Sequence, residues 1–169
     1  SHARRSLRRI KLNEQVIDAV KIEMKDYLTT LTRRPLSRRQ AILLQHLDRC
    51  VTDIERIGDH IDAIGDISVR RERIREAFED RAMQERLFLL YRSARVVLRL
   101  VIHSLNPENR DFHAVAQSIL TARDRYMRLS LKTKGYLFEE LNRRQASPVA
   151  ALFFAEYVSA FDRIVKHAR

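Results

Sequence analysis

Five carboxylates recur along one face of residues 47–66, and they are the side chains of this sequence whose spacing best suits chemistry. They are separated by seven, four, three and four residues and form a row on a helix, here named the acidic stripe: Asp48, Glu55, Asp59, Asp62 and Asp66. Like charges four residues apart destabilise a helix by about 0.2–0.5 kcal/mol per pair. The acidic stripe therefore indicates a cation site, a contact with a basic partner helix, or an acidic face that the basic remainder of the chain neutralises.

Carboxylate oxygens one helical turn apart suit hard cations, and they suit iron or manganese where a histidine joins them. His60 follows Asp59 directly and lies about 100 degrees round a helix from it, so we do not expect both to bind one ion. Glu14 and Asp18 could add oxygens, although acidic residues early in a helix are also favoured by its dipole. In the alternative reading, the acidic stripe is paired with arginines that follow it, namely Arg70, Arg71, Arg73 and Arg75.

An apolar row runs beside the acidic stripe on the same predicted helix. Its members alternate in steps of three and four residues and are here named the apolar seam: Leu47, Cys50, Ile54, Ile57, Ile61 and Ile64. Such a row predicts a face packed against neighbouring helices. Cys50 is the single cysteine of the chain, so we interpret it as a small buried apolar residue in a reducing compartment.

The composition predicts an all-α protein. With 169 residues, 3 Gly, 3 Pro, no Trp and 45% hydrophobic residues, the sequence has few turn formers and many helix formers. The formal net charge is +11, but residues 1–11 hold five basic and no acidic residues, so nearly half of the excess lies in this segment. A basic arm of this kind could be the cytoplasmic flank of a membrane span. The most apolar stretch, residues 94–105, is interrupted by Arg95 and Arg99 and is too short to be a span itself.

Caps and prolines divide the chain into five helices. The first is expected after Asn13, the second from Ser37 to about Ser68, and the third from there to Asn106. The fourth is expected from Asn109 or Asp111. The fifth begins with Ser147 as its cap and Pro148 at its first position. The last three helices carry apolar rows that predict a core: Leu87, Leu90, Ala94, Val97, Val101 and Ser104; Val115, Ile119, Ala122, Tyr126, Leu129, Thr133 and Tyr136; Phe154, Tyr157, Phe161, Ile164 and Ala168.

The chain also contains an internal repeat. Placing Glu55 on Asp162 sets DIERIGDH beside AFDRIVKH, and the preceding turns LTRRPLS and LNRRQAS match with an offset of three residues. We therefore predict a basic arm or linker at residues 1–12, a three-helix repeat at 13–106 and a second, truncated repeat at 107–169. The second copy lacks a third helix, as expected of a piece of a longer chain.

IERIGDHIDAIGD, preceded by VTD, resembles the signature of PhoU-like domains, and the resemblance covers Asn13 to the end. The helix ending in GYLFEELNRRQASP is similar to the version fused to the C-terminus of sodium-dependent phosphate cotransporters. The resemblance implies three-helix bundles related by a pseudo-two-fold axis, with acidic motifs that bind metal ions. It also implies a non-catalytic regulatory domain at the cytoplasmic face of the cell membrane, with the membrane domain of the same transporter or another part of a phosphate-uptake system as its partner.

Carried over by residue, the resemblance places Glu55 and Asp59 at the two acidic positions of the first motif and Asp53 just before them, with Asp62 extending the row. In the second motif Asp162 keeps the first acidic position, but Lys166 stands where an aspartate belongs. A lysine there would repel a cation or pair with Asp162. The implied cofactor is a divalent or iron cation in the first half only.

Other classes of function find less support in the sequence. There is no glycine-rich phosphate loop, no supported Ser-His-Asp arrangement and no zinc-like Cys/His set, so we do not expect an enzyme. The arginines are scattered over all five helices without helix-turn-helix spacing, so we expect no nucleic-acid partner. The alternatives to the transporter domain are a free-standing PhoU-type phosphate-signalling adaptor and, behind it, a basic nucleic-acid-binding bundle. A homo-oligomer is compatible with each of them.

Overall fold

Helix caps predicted from the sequence begin three of the five helices. The computed structural model describes residues 2–74, 80–106, 111–143 and 146–168, and within these ranges it contains helices and no strand, which confirms the all-α prediction. The helices are α1 (His2–Thr32), α2 (Arg38–Glu72), α3 (Arg81–Ser104), α4 (Phe112–Asn142) and α5 (Pro148–His167). None of the described helices has the length and apolarity that crossing a bilayer requires.

The turn between α1 and α2 ends in a capping box. The Ser37 hydroxyl accepts from the Gln40 backbone N–H at 3.3 Å, and the Gln40 side chain accepts from the Ser37 N–H at 2.9 Å. Asp111 caps α4, and Ser147 caps α5 with Pro148 following, as predicted. The predicted break near Ser68 is wrong, because α2 continues to Glu72 and α3 begins after a cap at Asp80.

The basic N-terminal segment is helical, so the prediction that the first helix begins after Asn13 is wrong. Leu7 and Ile10 continue the apolar face of α1 and reach α2 at Gly65. A Cβ at Gly65 would lie 2.7 Å from Leu7 Cδ1, so the two helices approach closely because residue 65 lacks a side chain. Because arginines dominate this segment, its sequence did not indicate that Leu7 and Ile10 pack it against α2.

Helix α5 lies at the centre of the fold. It contacts α2, α3 and α4, whereas α1 contacts α2 only among the described helices. Helix α3 packs against α4 and α5, and in the described residues it makes no contact with α1 or α2. The predicted division into repeats at residue 106 stays a prediction, and α3, which precedes that point, packs against the helices that follow it.

The core lies between α3, α4 and α5. Its fully buried side chains include Leu90 and Val97 of α3, Tyr126 of α4 and Phe154 and Val165 of α5. The predicted core row of α5 is confirmed as buried, because α5 packs against three helices. The row of α3, which packs against two helices, is buried from Leu87 to Val97, whereas Val101 and Ser104 are half-buried.

The apolar seam of α2 is not buried as predicted. Ile57 and Ile64 pack against the core on α5, but Leu47, Ile54 and Ile61 are 39%, 48% and 36% exposed, and Cys50 is exposed as well. The exposed members point into the sector between α1 and α5, which no described helix covers. Helical periodicity identified the apolar face correctly but could not show whether another helix lies on it.

Candidate functional site

The acidic stripe faces α1, where lysines meet it. Three ion pairs join the two antiparallel helices: Lys11–Asp66 at 3.7 Å, Lys21–Glu55 at 2.5 Å and Lys25–Asp48 at 2.5 Å. Lys25 also donates to the Thr52 hydroxyl at 3.0 Å. Three of the neutralising charges therefore come from the preceding helix, while Arg70 pairs instead with Glu156 of α5 at 2.6 Å. Arg75 lies outside the described residues.

Glu55 is the most buried member of the acidic stripe, at 9% exposure. Its Oε1 accepts from Lys21, and its Oε2 is buried without a hydrogen bond among the described residues, 3.7 Å from the Arg56 Nε. Arg56 also pairs with Asp59 at 3.4 Å, and a buried oxygen of Asp62 likewise has no described hydrogen-bond partner. The two motif carboxylates are thus held chiefly by cationic side chains, with acceptor capacity left at Glu55 and Asp62.

Glu14 extends the acidic surface onto α1. Partial loss of solvent raises the pKa of its carboxyl, and the neighbouring carboxylates Asp18, Asp62 and Asp59 raise it further. The structure therefore brings Glu14 near Asp59 and Asp62 of the acidic stripe.

Asp53 points away from this surface and towards α5. Its Oδ1 lies 2.8 Å from His167 Nδ1, and the rings of His167 and His60 are 5.7 Å apart. The five predicted site residues consequently fall in three places: Glu55, Asp59 and Asp62 beside α1, Asp53 between α2 and α5, and Asp162 beside α4.

Asp162 of the second motif is held by three groups of α4. The Tyr126 and Ser130 hydroxyls donate to its Oδ1 at 2.8 and 2.7 Å, and Lys134 lies 2.5 Å from its Oδ2. Burial, together with the Asp162 charge and this hydrogen bond, raises the pKa of Tyr126, so the phenol remains the donor. Lys166, which was expected to repel a cation or to pair with Asp162, is exposed at the surface.

The two halves share this lysine–carboxylate contact. Lys21 meets Glu55, and Lys134 meets the equivalent residue, Asp162. In the first hairpin, α1 and α2, the lysine and the carboxylate each lie three residues further from the turn than they do in the second hairpin, α4 and α5. The two residues therefore stay opposite each other in both hairpins, although the turns align with an offset of three residues. Neither lysine was predicted from the sequence as a partner of its carboxylate. The three-residue offset was the signal that could have identified both pairs.

Helices α2 and α5 cross each other and run antiparallel. The equivalent residues His60 and His167 meet near the crossing, and Ser68 hydrogen-bonds Tyr157 at 2.9 Å further along. Contact between equivalent residues is what a two-fold relation between the two motif helices requires. The crossing and the two lysine–carboxylate contacts together define the site as a repeated structural unit.

A metal ion does not fit these carboxylates in the arrangement shown. Within the described residues no three His, Cys, Asp or Glu side chains converge as metal ligands, and Lys21 occupies the position that a cation on Glu55 Oε1 would need. The cation site at Glu55, Asp59 and Asp62, with Asp53 and Asp162, stays a prediction. Lysine is the counter-charge that the geometry provides.

The histidine contact predicts a pH dependence of stability. Burial lowers the pKa of His60, and the nearby Arg163 and His167 lower it further, against an opposing effect of Asp59. Below about pH 6.5 His60 is protonated in the unfolded chain, but protonation is less favourable in the folded chain. We therefore expect the free energy of unfolding to decrease as the pH is lowered through this range. Melting curves from pH 7.5 to 5 should show a smaller decrease for His60→Gln. His46→Gln changes an exposed histidine of the same helix and should leave the decrease unchanged; equal curves for all three proteins would contradict the assignment.

Comparisons with models of protein families, with curated proteins and with solved structures found no match to this chain.

Proposed function

We propose that this chain is a non-catalytic, PhoU-like regulatory domain that acts on a sodium-dependent phosphate transporter at the cytoplasmic face of the cell membrane. The observation that supports it best is the pair of motif helices, α2 and α5, which cross with His60 beside His167. The first carboxylate of each motif, Glu55 or Asp162, is paired with a lysine of the preceding helix. The sequence of the first motif resembles PhoU-like domains, and this arrangement supports the two-fold relation which that resemblance implies.

A regulatory role requires contact with another protein, and the first hairpin has the surface for it. Val16, Val20 and Ile54 are 61%, 52% and 48% exposed, although they belong to apolar helix faces. The membrane domain of the same transporter, or another component of a phosphate-uptake system, is the partner we propose. Because Lys21 and Lys134 supply counter-charges to Glu55 and Asp162, the proposal does not depend on a bound metal ion.

Phosphate uptake tests the proposal. We expect an in-frame deletion of the segment encoding residues 1–169 to change the initial rate of radiolabelled phosphate uptake at limiting phosphate, with sodium dependence retained. A plasmid copy of the intact gene should restore the original rate, whereas a copy with a stop codon within this segment should not. Unchanged uptake in the deletion strain would refute the proposal.

The alternatives differ in two further observations. Several apolar spans of about 20 residues encoded upstream support the transporter domain. Restoration of uptake by residues 1–169 expressed as a separate polypeptide, without such spans, would instead indicate a free-standing adaptor. Tight, salt-dependent and sequence-independent DNA binding by the purified chain would indicate the nucleic-acid-binding bundle.

A further inference from the structure

An open apolar groove lies between α1 and α2. It has a volume of about 260 Å³, and its apolar lining consists of Val16, Ile17, Val20, Met24, Val51 and Ile54. Lys21 also borders it, but its ammonium group is engaged by Glu55. No described helix lies over this groove, so the chain exposes an apolar surface of the kind that marks an interaction site.

The internal repeat identifies the corresponding surface in the second half. Placing Glu55 on Asp162 aligns Leu47, Val51 and Ile54 with a second set of residues: Phe154, Val158 and Phe161. This second set is 0%, 2% and 8% exposed. Because the lysine–carboxylate contact occurs in both hairpins, the two faces are equivalent. The face of α4 and α5 is covered, whereas that of α1 and α2 is open.

Helix α3 covers the α4/α5 surface. Its buried residues follow a spacing of four, three, four and three: Met83, Leu87, Leu90, Ala94 and Val97. The ring of Tyr91 lies 6.3 Å from that of Phe161, which places α3 directly on the residue equivalent to Ile54. The fold itself therefore shows which kind of element fits on this face of a hairpin: a single amphipathic helix with a leucine-rich stripe.

The exposed area of the chain exceeds that of a compact monomer of the same mass. The accessible surface is 12427 Å². A compact monomer of 20.0 kDa is expected to expose about 8,700 Å². The excess is several times the roughly 800 Å² that each partner contributes to a standard interface.

We propose that the α1/α2 groove binds one amphipathic α-helix of a partner protein, which presents an apolar stripe like that of α3. A second copy of the groove is a poor occupant, because two concave surfaces cannot fill each other, whereas a helix supplies the ridge that a groove between two helices needs. This inference rests on the repeat and on exposure, and it does not depend on phosphate transport.

A peptide of residues 80–105, which contains α3 and its Asp80 cap, is the probe. We expect the fluorescently labelled peptide to bind the intact chain saturably and with one-to-one stoichiometry in an anisotropy titration. Val20→Asp places a charge in the groove and should weaken binding by about tenfold or more, because the charge would be buried without a partner. A peptide carrying Leu87→Asp and Leu90→Asp should not bind.

Ala19→Asp is the matched control. It introduces the same charge at the adjacent exposed position, which lies on the side of α1 away from the groove, and it should bind the peptide like the parent chain. On α2, Ile54→Asp and the exposed Ala63→Asp form a second such pair. Circular dichroism should show equal helix content for all four variants, since none of these side chains is fully buried.

Three outcomes would overturn the proposal. The first is the absence of peptide binding to the parent chain. The second is binding that Val20→Asp and Ile54→Asp leave unchanged, as expected if the peptide only exchanges with α3 on α4 and α5. The third is self-association of the parent chain or its flotation with anionic vesicles, if Val20→Asp abolishes either one while peptide binding stays intact, because the occupant would then be a second copy or a membrane.

Discussion

Phe154→Ala should lower the free energy of unfolding by about 3–5 kcal/mol, because it removes a large, fully buried side chain and leaves a cavity in the core. Phe154 is fully buried where α5 meets the described core. Its equivalent in the first half, Leu47, is 39% exposed, and Leu47→Ala should cost about 1 kcal/mol or less. Chemical denaturation with urea, followed by circular dichroism, measures both values.

The contrast between these two substitutions tests whether the two halves differ as the fold shows. Similar costs for Phe154→Ala and Leu47→Ala would mean that the face of α2 is covered in solution, by a second copy or by a rearranged α3. Repeating the measurement at several protein concentrations separates these cases, because only self-association makes stability depend on concentration.

Local signals in the sequence sufficed for much of the fold. Ser37, Asp111 and Ser147 cap helices where their side chains predicted it, and the steps of three and four residues in α3 and α5 marked faces that are buried. These features depend on neighbours within about one or two turns of the same helix, which is the range that sequence spacing can read.

The failures concern contacts between helices. The rows in α2 and α5 have similar spacing, yet Ile54 is exposed and Phe161 is buried, because α3 lies on one hairpin and not on the other. The sequence allowed a basic partner helix for the acidic stripe but named only the arginines that follow it, whereas the lysines that meet it lie on the preceding helix. Periodicity defines the face of a helix, but the opposing residue depends on how the chain folds back.

Asp162→Ala should destabilise the fold by about 2–4 kcal/mol, because it removes the acceptor of two buried hydroxyl donors and the partner of an ammonium group. Tyr126 is 0% and Ser130 2% exposed, so the surrounding helices leave little access for solvent to replace the carboxylate. Urea denaturation of the variant and the parent chain gives the difference.

Double-mutant cycles then identify the cation that Asp162 holds. The contact with Lys134 at 2.5 Å predicts a favourable coupling free energy between Asp162→Ala and Lys134→Ala. The exposed Lys166 should show a coupling to Asp162 close to zero. Lys166→Ala alone should change the free energy of unfolding by less than about 0.5 kcal/mol. Coupling to Lys166 that exceeds coupling to Lys134 would reverse the assignment. Lys166 would then neutralise Asp162 from the same helix. The similarity between the pairs Lys21–Glu55 and Lys134–Asp162 would no longer support equivalent halves.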